Sequence, residues 1–204
     1  MLYSLTQWEL SRLLLPLGGL TKEETRTLAE EHGFVNARKR DSQDICFVPD
    51  GDYAGFIRRW TGKEFSPGAF VGTQGEVYGA HKGLIHYTVG QRKGLGLSFP
   101  QPMFVKELDV ENNQVVLAKA EELFSREVVA RDINLIAAES LEKPWRVKAR
   151  IRYRQQEQPA TVVQTGPDEL HVTFDQPQRA VTPGQALVLY DGDTVVGGGK
   201  IVRP

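Results

Sequence analysis

Ten residues, Trp145 to Arg154, alternate without a break between apolar and cationic side chains. Trp145, Val147, Ala149, Ile151 and Tyr153 fall on one side, and Arg146, Lys148, Arg150, Arg152 and Arg154 on the other. A period of two with one apolar face predicts a half-buried strand, and such a strand needs other strands to bury its face against. Those strands follow in the sequence. Ala160 to Thr165 and Glu169 to Phe174 flank the turn Gly166-Pro167-Asp168, and Ala186 to Tyr190 and Thr194 to Val202 flank Asp191-Gly192-Asp193. Short strands at this spacing from about Val128 onward predict a small closed antiparallel barrel of six strands.

Upstream the periods change. Thr6 to Glu9 has capping-box spacing and is followed by Leu10, Leu13 and Leu14 at helical intervals, ended by Pro16 and Gly18-Gly19. Thr21 to Glu24 repeats the signal and opens a second helix that runs to His32 and stops at Gly33. The apolar side of this pair, with Trp8 and the leucines, calls for a partner surface. Asp52 is placed to cap a third short helix through Trp60, closed by Gly62. Two hairpins follow, Phe70-Val71 with Val77-Tyr78 around Gln74-Gly75, and Met103 to Leu108 with Gln114 to Leu117 around Glu111-Asn112-Asn113. The expected fold is mainly β with some α. It comprises a short N-terminal helical segment, a small α+β central domain, and a C-terminal six-stranded barrel of the kind found in translation factors.

Composition narrows the chemistry. One cysteine in 204 residues excludes an internal disulfide framework and a cysteine-rich metal site, and suits a reducing, cytoplasmic compartment. No apolar run approaches the roughly 18 residues of a membrane span, and the start lacks the basic region of a signal peptide. With a net charge of -1, any nucleic-acid surface must come from local clustering of the 25 lysines and arginines.

Three stretches carry candidate chemistry. Cys46 lies between Ile45 and Phe47 in Lys39 to Tyr53, at the change from helical to β patterning. A lone cysteine in that setting is commonly a small buried hydrophobe; a reactive thiolate would need cations to offset Asp41 and Asp44. The cationic strand face reads as a solvated face or as a track for a phosphate backbone. The run His81 to Gly96 interleaves Gly, Lys, Arg and His without Walker A or dinucleotide spacing. It reads equally as a mobile basic loop or as a phosphate-approaching one. His81 and His86 have no ligand partner at metal-binding spacing, so no metal site is expected.

Four ordered motifs resemble one known family. Asp41-Ser-Gln-Asp-Ile-Cys-Phe-Val-Pro-Asp-Gly-Asp-Tyr53 is similar to the signature around the second active-site cysteine of the tRNA-specific 2-thiouridylases. His81-Lys-Gly through His86-Tyr-Thr-Val-Gly-Gln-Arg-Lys-Gly-Leu-Gly96, Arg150-Ile-Arg-Tyr-Arg-Gln155 and Thr182-Pro-Gly-Gln185 resemble later motifs of the same family, and Leu15 to Lys22 also fits.

The resemblance implies a tail of the nucleotide-binding domain at residues 1–50, a central α+β tRNA-binding domain at 51–120 and a barrel at 121–204. It implies that Cys46 carries a persulfide. Arg152, Tyr153 and Gln185 would contact tRNA, with Lys82, Arg92 and Lys93 as weaker candidates. ATP with Mg would be bound by an N-terminal domain lying outside this chain. The partners implied are the anticodon arms of Lys, Glu and Gln tRNAs, and a sulfur-relay protein or cysteine desulfurase as persulfide donor. No membrane partner is expected. The competing expectations are a non-catalytic RNA-binding module and a protein-binding barrel. If both Arg152 and Tyr153 contact RNA, the strand must end or bulge there, because successive side chains of a regular strand point to opposite faces.

Overall fold

The computed structural model describes residues 2–39, 48 and 50–204. Cys46, and with it the expected persulfide site, lies outside the described residues. The chain divides into two compact units, one made of Met1–Gln7 with Glu64–Pro204 and the other of Trp8–Lys63.

Within Trp8–Lys63, α2 (Lys22–Glu31) and α3 (Tyr53–Thr61) end where their capping residues direct. Thr21 and Glu24 form a reciprocal capping box on α2, and Gly33 follows the helix at φ 74°. Asp52 accepts from the Gly55 N–H on α3, and Gly62 closes that helix in the left-handed conformation at φ 64°. The first expected helix is shorter than its leucine spacing suggests, since α1 covers only Gln7–Leu10. The Trp8 carbonyl accepts from Ser11 Oγ (2.8 Å) and Arg12 Nη1 (3.1 Å), and the next backbone bonds run three residues, from Arg12 to Glu9 and from Leu13 to Leu10. Side chains that occupy helix carbonyls compete with further helical turns. Leu14, Leu15 and Leu17 are left exposed.

The other unit opens on a mixed four-stranded sheet. Its strands β1 (Gly68–Gly72), β2 (Val77–His81), β3 (Phe104–Asp109) and β4 (Gln114–Ala118) lie in the order β2-β1-β4-β3. The two expected hairpins are its antiparallel halves, joined by parallel pairing of β1 with β4. Phe70, Val105, Val115 and Leu117 form its core with Tyr87 and Leu95, which come from the glycine-rich run. That run is therefore anchored at two points, and the mobile-loop reading of it does not hold.

The barrel closes as β10-β5-β8-β7-β6-β9, every pair antiparallel. Its strands are β5 (Phe124–Leu135), β6 (Trp145–Arg150), β7 (Gln158–Gly166), β8 (Glu169–Arg179), β9 (Ala186–Asp191) and β10 (Thr194–Arg203). The interior is filled by setting small residues opposite large ones. Ala160 pairs with Phe174, Ala130 with Leu170 and Ala149 with Leu189, all within a few per cent of full burial. Each buried Leu or Phe contributes roughly 1.5–3 kcal/mol relative to exposure.

The cationic strand ends at Arg150, four residues short of the alternating pattern. The chain then turns, with the Gln155 N–H donating to the Arg152 carbonyl (3.1 Å). Tyr153, expected on the apolar face, is 92% exposed.

The N-terminal turn Leu2–Ser4 is fastened to the barrel. Asn134 Nδ2 donates to the carbonyls of Tyr3 (2.7 Å) and Leu5 (2.9 Å), and Gln7 Nε2 donates to that of Ile136 (2.7 Å). No helix among the described residues is long and apolar enough to cross a membrane.

Candidate nucleic-acid interface

The strand end at Arg150 sets the geometry of the candidate surface. Once the chain leaves β6, consecutive residues no longer alternate between two sheet faces, so Arg152 and Tyr153 both reach solvent. Arg152 Nη2 donates to the Ala180 carbonyl (2.7 Å) and to Thr182 Oγ1 (3.3 Å). The turn after β8 is closed by Gln185 N–H donating to the Thr182 carbonyl (3.2 Å), and Gln185 itself is exposed. Arg152, Tyr153 and Gln185 thus sit on two neighbouring turns at one end of the barrel, although Arg152 and Gln185 are far apart in sequence.

The Arg152 turn is held from its other end as well. Gln155 Nε2 donates to Gln178 Oε1 (2.6 Å), and Gln178 Nε2 donates to the Gln176 carbonyl (2.8 Å). Ala180 adopts a left-handed backbone at φ 53° while only 3% exposed. For a non-glycine residue that conformation costs about 1 kcal/mol. Here it accompanies a carbonyl that accepts from both Arg152 and Thr182 Oγ1.

The glycine-rich run approaches the same end. Gly90 has φ 87°, and a Cβ built there would stand 3.1 Å from Ala180 Cβ and 3.9 Å from a terminal nitrogen of each of Arg152 and Arg179. Gln91 fixes the loop, accepting from the Thr88 N–H (3.0 Å) and donating to the Lys93 carbonyl (2.9 Å). Arg92 and Lys93 are exposed on this loop, and Arg92 lines a cleft of about 370 Å³ with Leu95, Leu97, Phe99 and Met103. Beneath, Ala118, Leu123 and Ala180 pack with Val89 and Phe104, which joins the sheet to the barrel. Lys82 stands apart. Its N–H reaches Tyr87 Oη (3.5 Å), and no contact among the described residues ties it to Arg152.

The continuous cationic track expected from the strand is interrupted. Arg146 is held bidentately by Asp175 (2.8 Å for each bond), and Arg150 pairs with Glu157 (3.1 Å). The Arg146 guanidinium, by its hydrogen bond, holds the Asp175 carboxyl below its ordinary range. Two of the three cations within β6 are thus paired with carboxylates, and among the described residues Lys148 and, past the strand end, Arg152 have no carboxylate at ion-pair distance. His81 is a core residue. Its Nδ1 accepts from the Gly83 N–H (3.0 Å), so its proton sits on Nε2, which faces the Asn113 carbonyl (3.0 Å). Both nitrogens are engaged with backbone.

No Walker-type glycine loop occurs in the 204 residues, and the glycines near Arg92 pack against the barrel or shape turns. Sequence reasoning passed over Arg179, Ala180 and Gln91. The available signal was position, because Arg179 stands three residues before the Thr182 turn and Gln91 between two glycines.

Three family models match in tandem. They are described as a tRNA methyl transferase HUP domain (residues 1–50), a tRNA methyl transferase PRC-barrel domain (54–119) and an aminomethyltransferase beta-barrel domain (125–201). Among curated relatives, the tRNA-specific 2-thiouridylase MnmA of Acetivibrio thermocellus is 52% identical over 200 residues, covering 98% of this chain and 56% of that protein. The MnmA proteins of Clostridioides difficile and Carboxydothermus hydrogenoformans are each 48% identical over 202 residues. They cover 99% of this chain and 56% and 55% of those proteins. The chain spans a little over half the length of the relatives it matches. The model descriptions speak of methyl transfer and the relatives of thiolation. Near 50% identity along almost the whole chain gives the relatives more weight.

Proposed function

Because the chain belongs to the tRNA-specific 2-thiouridylase family, we propose that it supplies the sulfur-carrying and RNA-holding part of an enzyme that replaces O2 of a tRNA wobble uridine with sulfur. The observation that supports this most is the meeting of Arg152, Tyr153 and the Thr182–Gln185 turn at one end of the barrel, beside the Gly90 loop with Arg92 and Lys93. Arginines there present planar donors suited to phosphate oxygens, and an exposed tyrosine offers a face on which a base stacks.

In this reading Cys46 carries a persulfide delivered by a sulfur-relay protein or a cysteine desulfurase. Its terminal sulfur attacks C2 of the activated uridine, and the activated oxygen departs. A second thiolate then takes Cys46 Sγ into a disulfide and leaves the transferred sulfur on the base. Cys46 is the only cysteine in the chain, so the second thiol belongs to residues outside it. Activation of the oxygen with ATP likewise belongs outside these residues. The target base must leave its stack to meet the sulfur, and a barrel that grips the surrounding backbone makes that possible. The exposed leucines of Trp8–Lys63 support an upstream domain resting on residues 1–50. The tRNA substrate and the reduced cysteine both suit the cytoplasm.

Single-turnover thiolation by the full-length enzyme tests the reading. Cys46→Ser is expected to abolish product while tRNA affinity stays within about twofold, and the isolated 204-residue chain is expected to bind tRNA without thiolating it. Thiolation at the wild-type rate by Cys46→Ser would remove the sulfur-carrier role.

A further inference from the structure

Arg152 and Arg179 bring one terminal nitrogen each to 3.9 Å from the point where a Cβ on Gly90 would stand, so these two nitrogens lie within twice that distance of each other. Three other barrel arginines are neutralised: Arg131 by Glu169, Arg146 by Asp175 and Arg150 by Glu157. Among the described residues neither Arg152 nor Arg179 has a carboxylate at ion-pair distance.

Each is nevertheless held. Arg152 is fixed through Nη2 by Ala180 O and Thr182 Oγ1, and the Arg179 guanidinium lies over the Phe104 ring at 4.9 Å from its centre. Stacking on a ring leaves the edge donors of a guanidinium available for an anion. The positive φ and missing side chain of Gly90 let the loop pass directly over Ala180, close beside both guanidiniums. Two fixed cations close together, neither with a carboxylate at ion-pair distance, repel each other unless an anion enters. Bidentate arginine hydrogen bonds to phosphate are the strong form of that interaction.

We propose that Arg152 and Arg179 form a two-guanidinium clamp on a single backbone phosphate of the bound RNA, with Phe104 as the platform that aims Arg179. The proposal rests on the RNA-holding reading above and adds to it a named contact, Arg179, and its stoichiometry of one phosphate. Because the phosphate backbone is common to all RNA, the clamp positions the substrate and does not select its sequence.

The test is a salt series of binding by the full-length enzyme to an unmodified tRNA transcript. Log affinity falls against log salt with a slope of about -0.9 per phosphate neutralised. Arg179→Ala and Arg152→Ala should each weaken binding by roughly tenfold at moderate salt. The double variant should flatten the slope by about 0.9 in all, because one phosphate is lost. Arg179→Lys and Phe104→Leu keep the charge, so each should lose affinity with little change of slope. A double-variant change of about 1.8 would mean two separate phosphates and overturn the clamp. If Arg152→Ala weakens binding and Arg179→Ala does not, the clamp falls and the RNA face stands. If neither changes affinity or slope, the RNA face falls and the clamp with it.

Discussion

His81 shows how much a single buried side chain settles. It is 2% exposed, edge-on to Phe70 (5.7 Å) and Tyr87 (5.7 Å), and its two nitrogens bridge the Gly83 N–H and the Asn113 carbonyl. His81→Ala removes a ring from a packed cluster and leaves two backbone groups unpaired, so a loss of about 3 kcal/mol is expected, read as a lower midpoint of urea unfolding. Adding zinc should leave the wild-type midpoint unchanged, because both ring nitrogens are already engaged. In sequence His81 looked like part of an exposed basic run. Burial cannot be read from neighbours that are glycine and lysine, because the residues that enclose it, Phe70 and Asn113, are separated from it by 11 and 32 positions. The irregularity after Arg150 was legible for the opposite reason. Its motif is local, and the expectation that Arg152 and Tyr153 both meet RNA already called for the strand to end or bulge there.

Helix ends and hairpins were readable because their causes lie within four residues, as in Thr21 with Glu24 or Asp52 with Gly55. The pairing of Arg146 with Asp175 was not, since it depends on a partner from another strand. The run Gly197-Gly198-Gly199 in β10 belongs to the same class. A Cβ on Gly198 would fall 2.2 Å from the Leu187 carbonyl oxygen and 2.8 Å from Tyr3 Cδ2. The glycine therefore lets β10 approach β9 and also makes room for the N-terminal turn. Gly198→Ala forces backbone against backbone, and a loss of about 2–4 kcal/mol is expected from strain of this kind. Asn134→Ala should separate the two roles. It removes the donor to the Tyr3 and Leu5 carbonyls and leaves β10 alone, so amide exchange should rise in residues 2–7 while the barrel strands keep their protection. Equal loss of protection across the barrel would mean that the turn is part of the barrel's own cooperative unit.

Among the described residues many charges are paired locally, in a chain whose 25 lysines and arginines and 26 acids leave a net charge of -1. Among the described residues five carboxyls are held below their ordinary range by a partner: Glu24 by Thr21, Glu30 by Arg38, Asp109 by Asn112, Glu169 by Arg131 and Asp175 by Arg146. A carboxyl whose pKa is lower folded than unfolded binds fewer protons in the folded state. Its contribution is present above the unfolded value and disappears as pH falls through the folded one. Stability should therefore be nearly flat from about pH 8 to 5 and decline below about pH 4.5, where unfolded carboxylates begin to protonate. Salt then distinguishes the causes. Glu30, Glu169 and Asp175 depend first on a guanidinium, whereas Glu24 depends on a backbone N–H and a hydroxyl, and Asp109 on an amide side chain and backbone. Exposed ion pairs are screened, and neutral hydrogen bonds are not. Urea midpoints measured from pH 7 to pH 3 should fall less steeply in 0.5 M salt than in 0.05 M, without becoming flat. Asp175→Asn should shrink the difference between the two salt curves, because it removes one of the three guanidinium-held carboxyls. Coincident high- and low-salt curves would show that these pairs contribute nothing to acid sensitivity and that backbone-bonded carboxyls such as Glu24 carry it.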